Sequence, residues 1–175
     1  MSQDLSNIVL VGMPASGKST VGVLLAKLTS RDCVDTDVLI QISEGRSLQD
    51  IVDTEGHMAL RSIEEKALLG LDCHHHVIAT GGSAVYSQAA MKHLKSDGII
   101  VFLDADLSTL MSRVYNFGTR GLAKRPDQSF ADLFEERFFL YTKYADVTVD
   151  CADLTRDEVC ERIINKLKVG KLTRS

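Results

Sequence analysis

The residues best suited to chemistry lie in segment 12–20, Gly-Met-Pro-Ala-Ser-Gly-Lys-Ser-Thr, directly after an apolar run at 8–11. Two glycines with four residues between them, followed by Lys and Ser, fit the phosphate-binding loop pattern. Glycines let backbone N–H groups turn inward onto phosphate oxygens, and the N-terminus of a following helix adds to that attraction. The pattern predicts that Lys18 reaches the β- and γ-phosphates of a nucleoside triphosphate and that Ser19 holds Mg²⁺. The predicted nucleotide-binding residues of this loop are Gly12, Ala15, Ser16, Gly17, Lys18, Ser19 and Thr20.

Asp35 and Asp37 form a second group with chemical potential, because they follow a short predicted strand at 33–35. One of the two carboxylates is suited to hold Mg²⁺ through water, and the other to accept the proton of a substrate hydroxyl. The alternative is that the aspartates only cap the helix that begins after them. The residue types alone leave both interpretations open.

Two arginines and a glycine pair complete the candidate residues. Arg61 lies near two glutamates on a predicted helix, where the simpler interpretation is a surface ion pair at i,i+3 or i,i+4 spacing. Arg137 follows two glutamates, where the simpler interpretation is a solvated helix face. Gly81 and Gly82 follow the third predicted strand, where a tight turn between strand and helix is the simpler interpretation.

The elements that must position these residues alternate between strand-like and helix-like patterns. The predicted strands are 7–11, 33–35, 76–80, 99–103 and 146–149. The predicted helices are 18–29, 38–43, 47–53, 57–71, 87–95, 107–115, 130–144 and 156–168. This alternation is typical of an α/β fold whose parallel sheet is covered on both faces. Ligands of such sheets bind at the carboxyl ends of the strands, so we expect the candidate residues to meet on one rim.

Composition narrows the class of protein. A length of 175 residues suits one domain spanning 1–175, and a net charge of -4 argues weakly against nucleic-acid or anionic-membrane partners. The sequence shows no secretory signal and no apolar run near the roughly 20 residues that a membrane helix needs, so a cytoplasmic location is expected. The four cysteines form no Cys-x-x-Cys pair, which favours reduced thiols over a zinc site.

Taken together, these motifs resemble the shikimate kinase family over about residues 7–165. The order and spacing of five segments carry the resemblance. These segments are GMPASGKST at 12–20, DTD at 35–37, ALRSIEE at 59–65, ATGGSAV at 79–85 and ERFFLY-x-x-x-ADVTVD at 136–150.

The resemblance implies ATP-dependent phosphorylation of the 3-hydroxyl of shikimate, a step toward chorismate and aromatic amino acids. It implies a three-layer α/β/α P-loop fold with a central five-stranded parallel sheet, a substrate-binding helical region at about 36–71 and a lid at about 116–128. A monomer that uses Mg²⁺ with ATP is the family expectation.

The resemblance also assigns roles to single residues. Asp37 would contact the substrate hydroxyls, so that Asp35 is the carboxylate expected to hold Mg²⁺ through water, together with Ser19. Arg61 and Arg137 would hold the substrate carboxylate, which agrees with the bidentate binding of carboxylates by planar guanidinium groups. The turn at 81–82 would contribute a backbone N–H from Gly82, with Gly81 beside it.

The lid departs from the family pattern, in which an arginine that contacts the transferred phosphate is followed by proline. Arg113 resembles the arginine that packs on adenine, and Arg120 keeps the family spacing from it. However, Gly121 follows Arg120, and the Arg-Pro dipeptide occurs at Arg125 instead. We favour Arg120 as the phosphate contact, which makes Lys18, Asp37 and Arg120 the predicted catalytic residues. Glycine in place of proline is expected to loosen the lid without ligand.

Ser83 is a second departure, because the family has a third glycine at this position. Serine tolerates a positive φ poorly, so either the local backbone differs or the position does not require glycine. Ser83 and Gly121 together keep a second hypothesis open, a related kinase that acts on another small hydroxy acid or polyol. A third hypothesis is a nucleotide-binding regulator without catalysis, against which the intact candidate residues argue.

Overall fold

A computed structural model describes residues 6–114 and 120–172 of the chain. Five strands form its sheet: β1 (Asn7–Val11), β2 (Asp32–Asp35), β3 (His76–Ala79), β4 (Gly98–Asp104) and β5 (Val147–Asp150). The α-helices of the described residues are α1 (Lys18–Thr29), α2 (Thr36–Glu44), α3 (Leu48–Glu55), α4 (His57–Leu69), α5 (Gln88–Ser96), α6 (Leu107–Arg113), α7 (Phe130–Tyr144) and α8 (Arg156–Leu172). The predicted alternation is confirmed, with bounds that differ by a few residues.

The sheet has the strand order β2-β3-β1-β4-β5, and every pairing is parallel. The predicted five-stranded α/β P-loop fold is therefore confirmed. β1 is central and fully buried, as expected of an apolar strand covered on both faces. β1 lies between β3 and β4, and the connections that leave these strands diverge. A crevice is therefore expected at the carboxyl end of β1. The register pairs Val11 with Phe102 and Asp35 with Ala79, so the ends of all four strands reach the same rim.

Two features of the elements were not predicted. The helix expected to run to residue 71 ends at Leu69, because Gly70 closes it with backbone hydrogen bonds to the last turn. A 3-10 helix at Ala84–Tyr86 follows the glycine turn and redirects the chain toward α5. Residue 115, at the end of the helix predicted over 107–115, lies outside the described residues, as do 116–119 of the predicted lid.

Two apolar clusters hold these elements in place. The larger one surrounds the sheet, and in it Phe102 of β4 stacks on Tyr141 of α7 with ring centroids 5.1 Å apart. The smaller cluster lies within the predicted substrate-binding region and consists of Ile40, Ile51, Leu60 and Ala123. Ala123 belongs to the predicted lid, so apolar contact joins the end of the lid to α2, α3 and α4. No helix in 6–114 or 120–172 combines the length and apolar character needed to cross a membrane.

Candidate active site

A cavity of about 430 Å³ opens at the carboxyl ends of the strands. We call it the rim cavity. The predicted site residues that line it are Ala15, Gly17, Lys18, Ser19, Thr20, Asp37, Gly81, Gly82, Arg113, Arg120 and Arg137. It is also lined by Glu64, Ser83 and Arg156, which the sequence analysis did not assign to the site. Arg61 is not part of its wall.

The phosphate loop has the backbone that its glycines predict. Gly12 has φ +151°, and a Cβ there would lie 2.8 Å from the carbonyl oxygen of Leu103. Gly17 has φ +97° and begins α1 without a side-chain cap, while no acidic residue lies in the first turn. Ser16 is buried beside Gly12. The first N–H groups of α1 are therefore not occupied by a capping side chain, as an anion site requires.

Lys18 is buried in the wall of this loop. Its Nζ donates hydrogen bonds to the carbonyl oxygens of Gly12 at 2.7 Å and Met13 at 2.8 Å. Burial lowers the pKa of Lys18 to about 8, although the carboxylate of Asp37 acts in the opposite direction. The ammonium group thus lies within the loop that is expected to receive phosphate.

Asp35 caps the helix that follows it and also contacts Ser19. Its Oδ1 accepts the backbone N–H groups of Asp37 at 3.0 Å and Val38 at 3.3 Å, so it caps α2. Its Oδ2 accepts the hydroxyl of Ser19 at 2.5 Å. Hard oxygen donors are the ligands of Mg²⁺, which usually binds one or two protein oxygens together with waters and substrate phosphates. The Ser19 and Asp35 oxygens therefore fit Mg²⁺, although no group of three or more metal-binding side chains occurs among the described residues.

Glu64, one of the two glutamates considered as surface ion-pair partners of Arg61, lies in the wall of the rim cavity. It is 3% exposed, and its Oε1 has no hydrogen-bond partner among the described residues. Burial, with a further contribution from the charge of Asp37, raises the pKa of Glu64 to about 7. Burial also raises the pKa of Asp37, while Lys18 opposes that rise. Two carboxyl groups therefore share the wall next to the phosphate loop.

The glycine pair is explained by close approach rather than by a positive φ. A Cβ at Gly81 would overlap Oε1 of Glu64 and lie 2.6 Å from Oδ1 of Asp37. A Cβ at Gly82 would lie 2.6 Å from Nη1 of Arg137. Absence of side chains at these two positions is what lets the carboxyl groups and the guanidinium group face the cavity across the turn.

Ser83 adopts φ -97° and ψ 2°, so serine is not strained here. Its hydroxyl donates a hydrogen bond to Oε2 of Glu64. Of the two explanations left open by the sequence, the structure supports the second, since this position does not require glycine. Serine adds a donor to the buried carboxyl group.

Arg137 is 1% exposed, which excludes the solvated helix face considered for it. Its Nη2 donates to the carbonyl oxygen of Ala123 at 2.9 Å. The hydroxyl of Tyr141, one turn later on α7, donates to the carbonyl oxygen of Gly82 at 2.6 Å and so ties the helix to the glycine turn. The buried Nε of Arg137 has no hydrogen-bond partner among the described residues, so one donor of this guanidinium group is left unsatisfied.

Arg61 lies beside the rim cavity rather than in its wall. Its guanidinium carbon is 3.6 Å from the ring centroid of Tyr86, and its Nη2 is 3.4 Å from the carbonyl oxygen of Ala123. Its nearest carboxylate is that of Glu136, at 4.0 Å, and not that of either glutamate on its own helix. It lines a smaller neighbouring cavity of about 340 Å³, whose wall also includes Glu64, Ser83 and Tyr86.

The lid places its two candidate arginines differently. Arg120 is exposed and lines the rim cavity, whereas Arg125 forms ion pairs with Glu136 at 3.5 Å and Asp127 at 4.0 Å. Gly121 has φ +61°, and its N–H donates to Oε1 of Gln49 at 2.8 Å. Proline could adopt neither feature. Sequence reasoning treated Gly121 only as a loss of rigidity and missed this contact with α3.

Two arginines bound the end of the cavity next to the phosphate loop. Arg113 donates to the carbonyl oxygen of Ala15 at 3.4 Å. Arg156, at the start of α8, lies close to Gly17. A Cβ added at Gly17 would lie 2.8 Å from the guanidinium carbon of Arg156. Arg113 and Arg156 both line the rim cavity, so two guanidinium groups lie next to the phosphate loop.

Comparisons with known proteins agree with this geometry. A sequence model described as shikimate kinase matches residues 14–168. A shikimate kinase of Sulfurihydrogenibium sp. is 34% identical over 165 residues, which cover 94% of this chain and 99% of that protein. A shikimate kinase of Gloeobacter violaceus is 39% identical and covers 85% of each chain. The solved structure of Acinetobacter baumannii shikimate kinase in complex with shikimate superposes with a TM-score of 0.89 at 31% identity and covers 97% of each chain.

Proposed function

Because the chain belongs to the shikimate kinase family, it catalyses the ATP-dependent phosphorylation of shikimate, and we propose that this reaction takes place in the rim cavity. One observation carries the assignment to the cavity. Beside the phosphate loop, Asp37, Glu64 and Arg137 approach one another across a turn that has no side chains. A hydroxylated carboxylic acid needs this combination of hydroxyl acceptors and a carboxylate-binding cation.

The phosphate side of the proposed site is the loop at 12–20. Its backbone N–H groups and the N-terminus of α1 bind the phosphates, and Lys18 leaves its two carbonyl partners to contact the β- and γ-phosphates. Arg113 and Arg156 flank the adenine. Ser19 and Asp35 hold Mg²⁺, which neutralises charge on the phosphate oxygens when it is bound.

The acceptor side of the proposed site is formed by the carboxyl groups and the glycine turn. Asp37 orients the attacking hydroxyl and takes its proton, and the backbone N–H of Gly82 contacts the substrate. Glu64 joins them, since its free Oε1 lies next to Asp37. Arg137 binds the substrate carboxylate together with Arg61, which approaches from the neighbouring cavity. The hydroxyl that reacts is proposed to be the 3-hydroxyl.

The lid completes the proposed site. Arg120 neutralises charge that develops on the transferred phosphoryl group, and closure of the lid excludes water. Exclusion of water matters because water would otherwise accept the phosphoryl group. Arg125 has no such role in this proposal, since its guanidinium group is already paired with Glu136.

The test is ADP release by the purified protein with Mg²⁺ and ATP, with shikimate, quinate or gluconate as acceptor. We expect release that depends on shikimate and is at least a hundredfold slower with the other two acceptors. Equal rates with gluconate would favour the related-kinase hypothesis, and ATP binding without any acceptor-dependent release would favour a regulator. We also propose that the protein acts as a single-domain monomer in the cytoplasm. We expect it to have no nucleic-acid or membrane partners.

A further inference from the structure

We propose that Tyr86 is a positioning residue for the substrate carboxylate, because its ring holds the guanidinium group of Arg61 beside that of Arg137. This inference rests on the proposed function, in which both arginines bind that carboxylate. No sequence motif includes Tyr86. Tyr86 ends the 3-10 helix after the glycine turn, so its ring lies directly beyond the site.

The contacts of Tyr86 involve both arginines. The guanidinium carbon of Arg61 lies 3.6 Å from the ring centroid, and that of Arg137 lies 5.5 Å from it. Both distances are within the range of about 6 Å over which a cation is attracted by an aromatic face. The attraction offsets part of the repulsion between two cations that must converge on one carboxylate.

The hydroxyl of Tyr86 fixes the orientation of the ring. It donates a hydrogen bond to Oε1 of Glu136, and Oε2 of Glu136 accepts a hydrogen bond from Gln128 at 2.9 Å. Arg61 makes weaker polar contacts, at 3.4 Å to the carbonyl oxygen of Ala123 and 4.0 Å to Glu136. Its Nε has no partner among the described residues. The two polar contacts lie near the upper limit of hydrogen-bond and ion-pair distances, whereas the ring contact of 3.6 Å is well inside the cation–π range, so stacking on the ring is the best-formed contact of this guanidinium group.

The alternative to positioning is a purely structural role for Tyr86. The ring is only half-buried, and it is attached to a three-residue 3-10 helix rather than to the core of the sheet. A structural role would affect folding and both substrates alike. A positioning role affects the acceptor alone, and it does so through Arg61. The two roles therefore differ in what kinetics will show.

The experiment compares Tyr86→Leu, which removes the aromatic face, with Tyr86→Phe, which keeps the face and removes the hydroxyl. We expect Tyr86→Leu to raise KM for shikimate about five- to twentyfold, whereas Tyr86→Phe raises it less than threefold. KM for ATP stays within about twofold in both variants. Equal effects of the two variants, an unchanged KM for shikimate, or parallel changes for both substrates would overturn the proposal. If Tyr86→Leu does not fold, Tyr86→Met replaces it with the same expected outcome.

A double-mutant cycle shows whether the effect passes through Arg61. Arg61→Ala and Arg61→Ala/Tyr86→Leu are expected to have the same KM for shikimate within about twofold, since the guanidinium group that stacks on the ring at 3.6 Å is absent from both and Arg137 is held by other contacts. Multiplicative effects would contradict the proposal. Failure of the proposed function is distinguishable, because the unaltered protein would then release no ADP in response to shikimate.

Discussion

The hydroxyl of Ser83 donates a hydrogen bond to the buried carboxyl group of Glu64. This contact was not predicted from the sequence, in which Ser83 was a departure from the family glycine and Glu64 was one of two glutamates considered as ion-pair partners of Arg61. The pair connects the glycine turn to α4 within the wall of the rim cavity. It also makes the acceptor side of this chain more polar than a third glycine would.

Removal of this hydroxyl should destabilise the fold. Ser83→Ala keeps the backbone conformation and leaves a buried carboxyl oxygen without its donor, at a cost of about 1–3 kcal/mol in the free energy of unfolding. Urea denaturation at pH 7 measures the loss. Ser62→Ala, at an exposed position of α4, is the matched control and should change the free energy of unfolding by less than about 0.5 kcal/mol. A Ser83→Ala variant as stable as this control would show that the hydrogen bond contributes nothing.

Burial of Glu64 should make the folded protein less stable as pH rises. Its pKa is raised from 4.5 to about 7 in the folded protein, so between these values the folded state binds more protons than the unfolded state. The contribution of Glu64 to stability is therefore fully present below about pH 4.5 and is lost as pH rises through about 7. Glu64→Gln resembles the protonated acid and lacks this loss. At pH 8 it should be more stable than the unaltered protein by about 1–3 kcal/mol, and the difference should shrink toward pH 5.

Urea denaturation of both proteins at pH 5, 6.5 and 8 measures this effect. Glu65→Gln, the neighbouring position on α4, serves as the control and should follow the unaltered protein. A difference between Glu64→Gln and the unaltered protein that stays constant with pH would exclude titration of Glu64 as the cause. Activity is a separate matter, because Glu64→Gln also removes an acceptor for substrate hydroxyls.

Asp37→Asn should separate chemistry from nucleotide binding. The amide keeps the size of the side chain but cannot take a proton from the substrate hydroxyl, so kcat should fall by about 10²–10⁴-fold. Calorimetric titration with ATP should give an affinity within about threefold of that of the unaltered protein, since Asp37 lies on the acceptor side. Turnover close to normal would refute the assigned role.

The two lid arginines should differ in the same assay. Arg120 lines the rim cavity and Arg125 is paired with Glu136, so Arg120→Ala should lower kcat about a hundredfold or more. Arg125→Ala should change kcat by less than about threefold. Steady-state kinetics with saturating ATP and shikimate decide the question. The opposite order of effects would move the phosphate contact to Arg125 and would require that arginine to leave its ion pair.

Local patterns were sufficient for the fold and for the backbone of the loop at 12–20. The apolar run before Gly12 and the helical period after Lys18 predict strand, loop and helix, because backbone sterics and burial on one face act within a few residues. The same holds for Asp35, whose capping role is visible from its place before α2. Five parallel strands then bring these segments to one rim whatever the details of packing.

The acceptor side was decided by tertiary structure. Glu64 and Arg61 lie three residues apart on α4, yet one points into the rim cavity and the other onto the ring of Tyr86. Gly121 was interpreted as a loosened lid, but its contact with α3 depends on a residue about 70 positions earlier in the chain. The burial of these residues, the pKa of Glu64 and the hydrogen-bond partners of Gly121 and Arg61 all depend on groups that are distant in sequence. Sequence therefore determined which chemical groups this protein has, and packing determined which of them face one another.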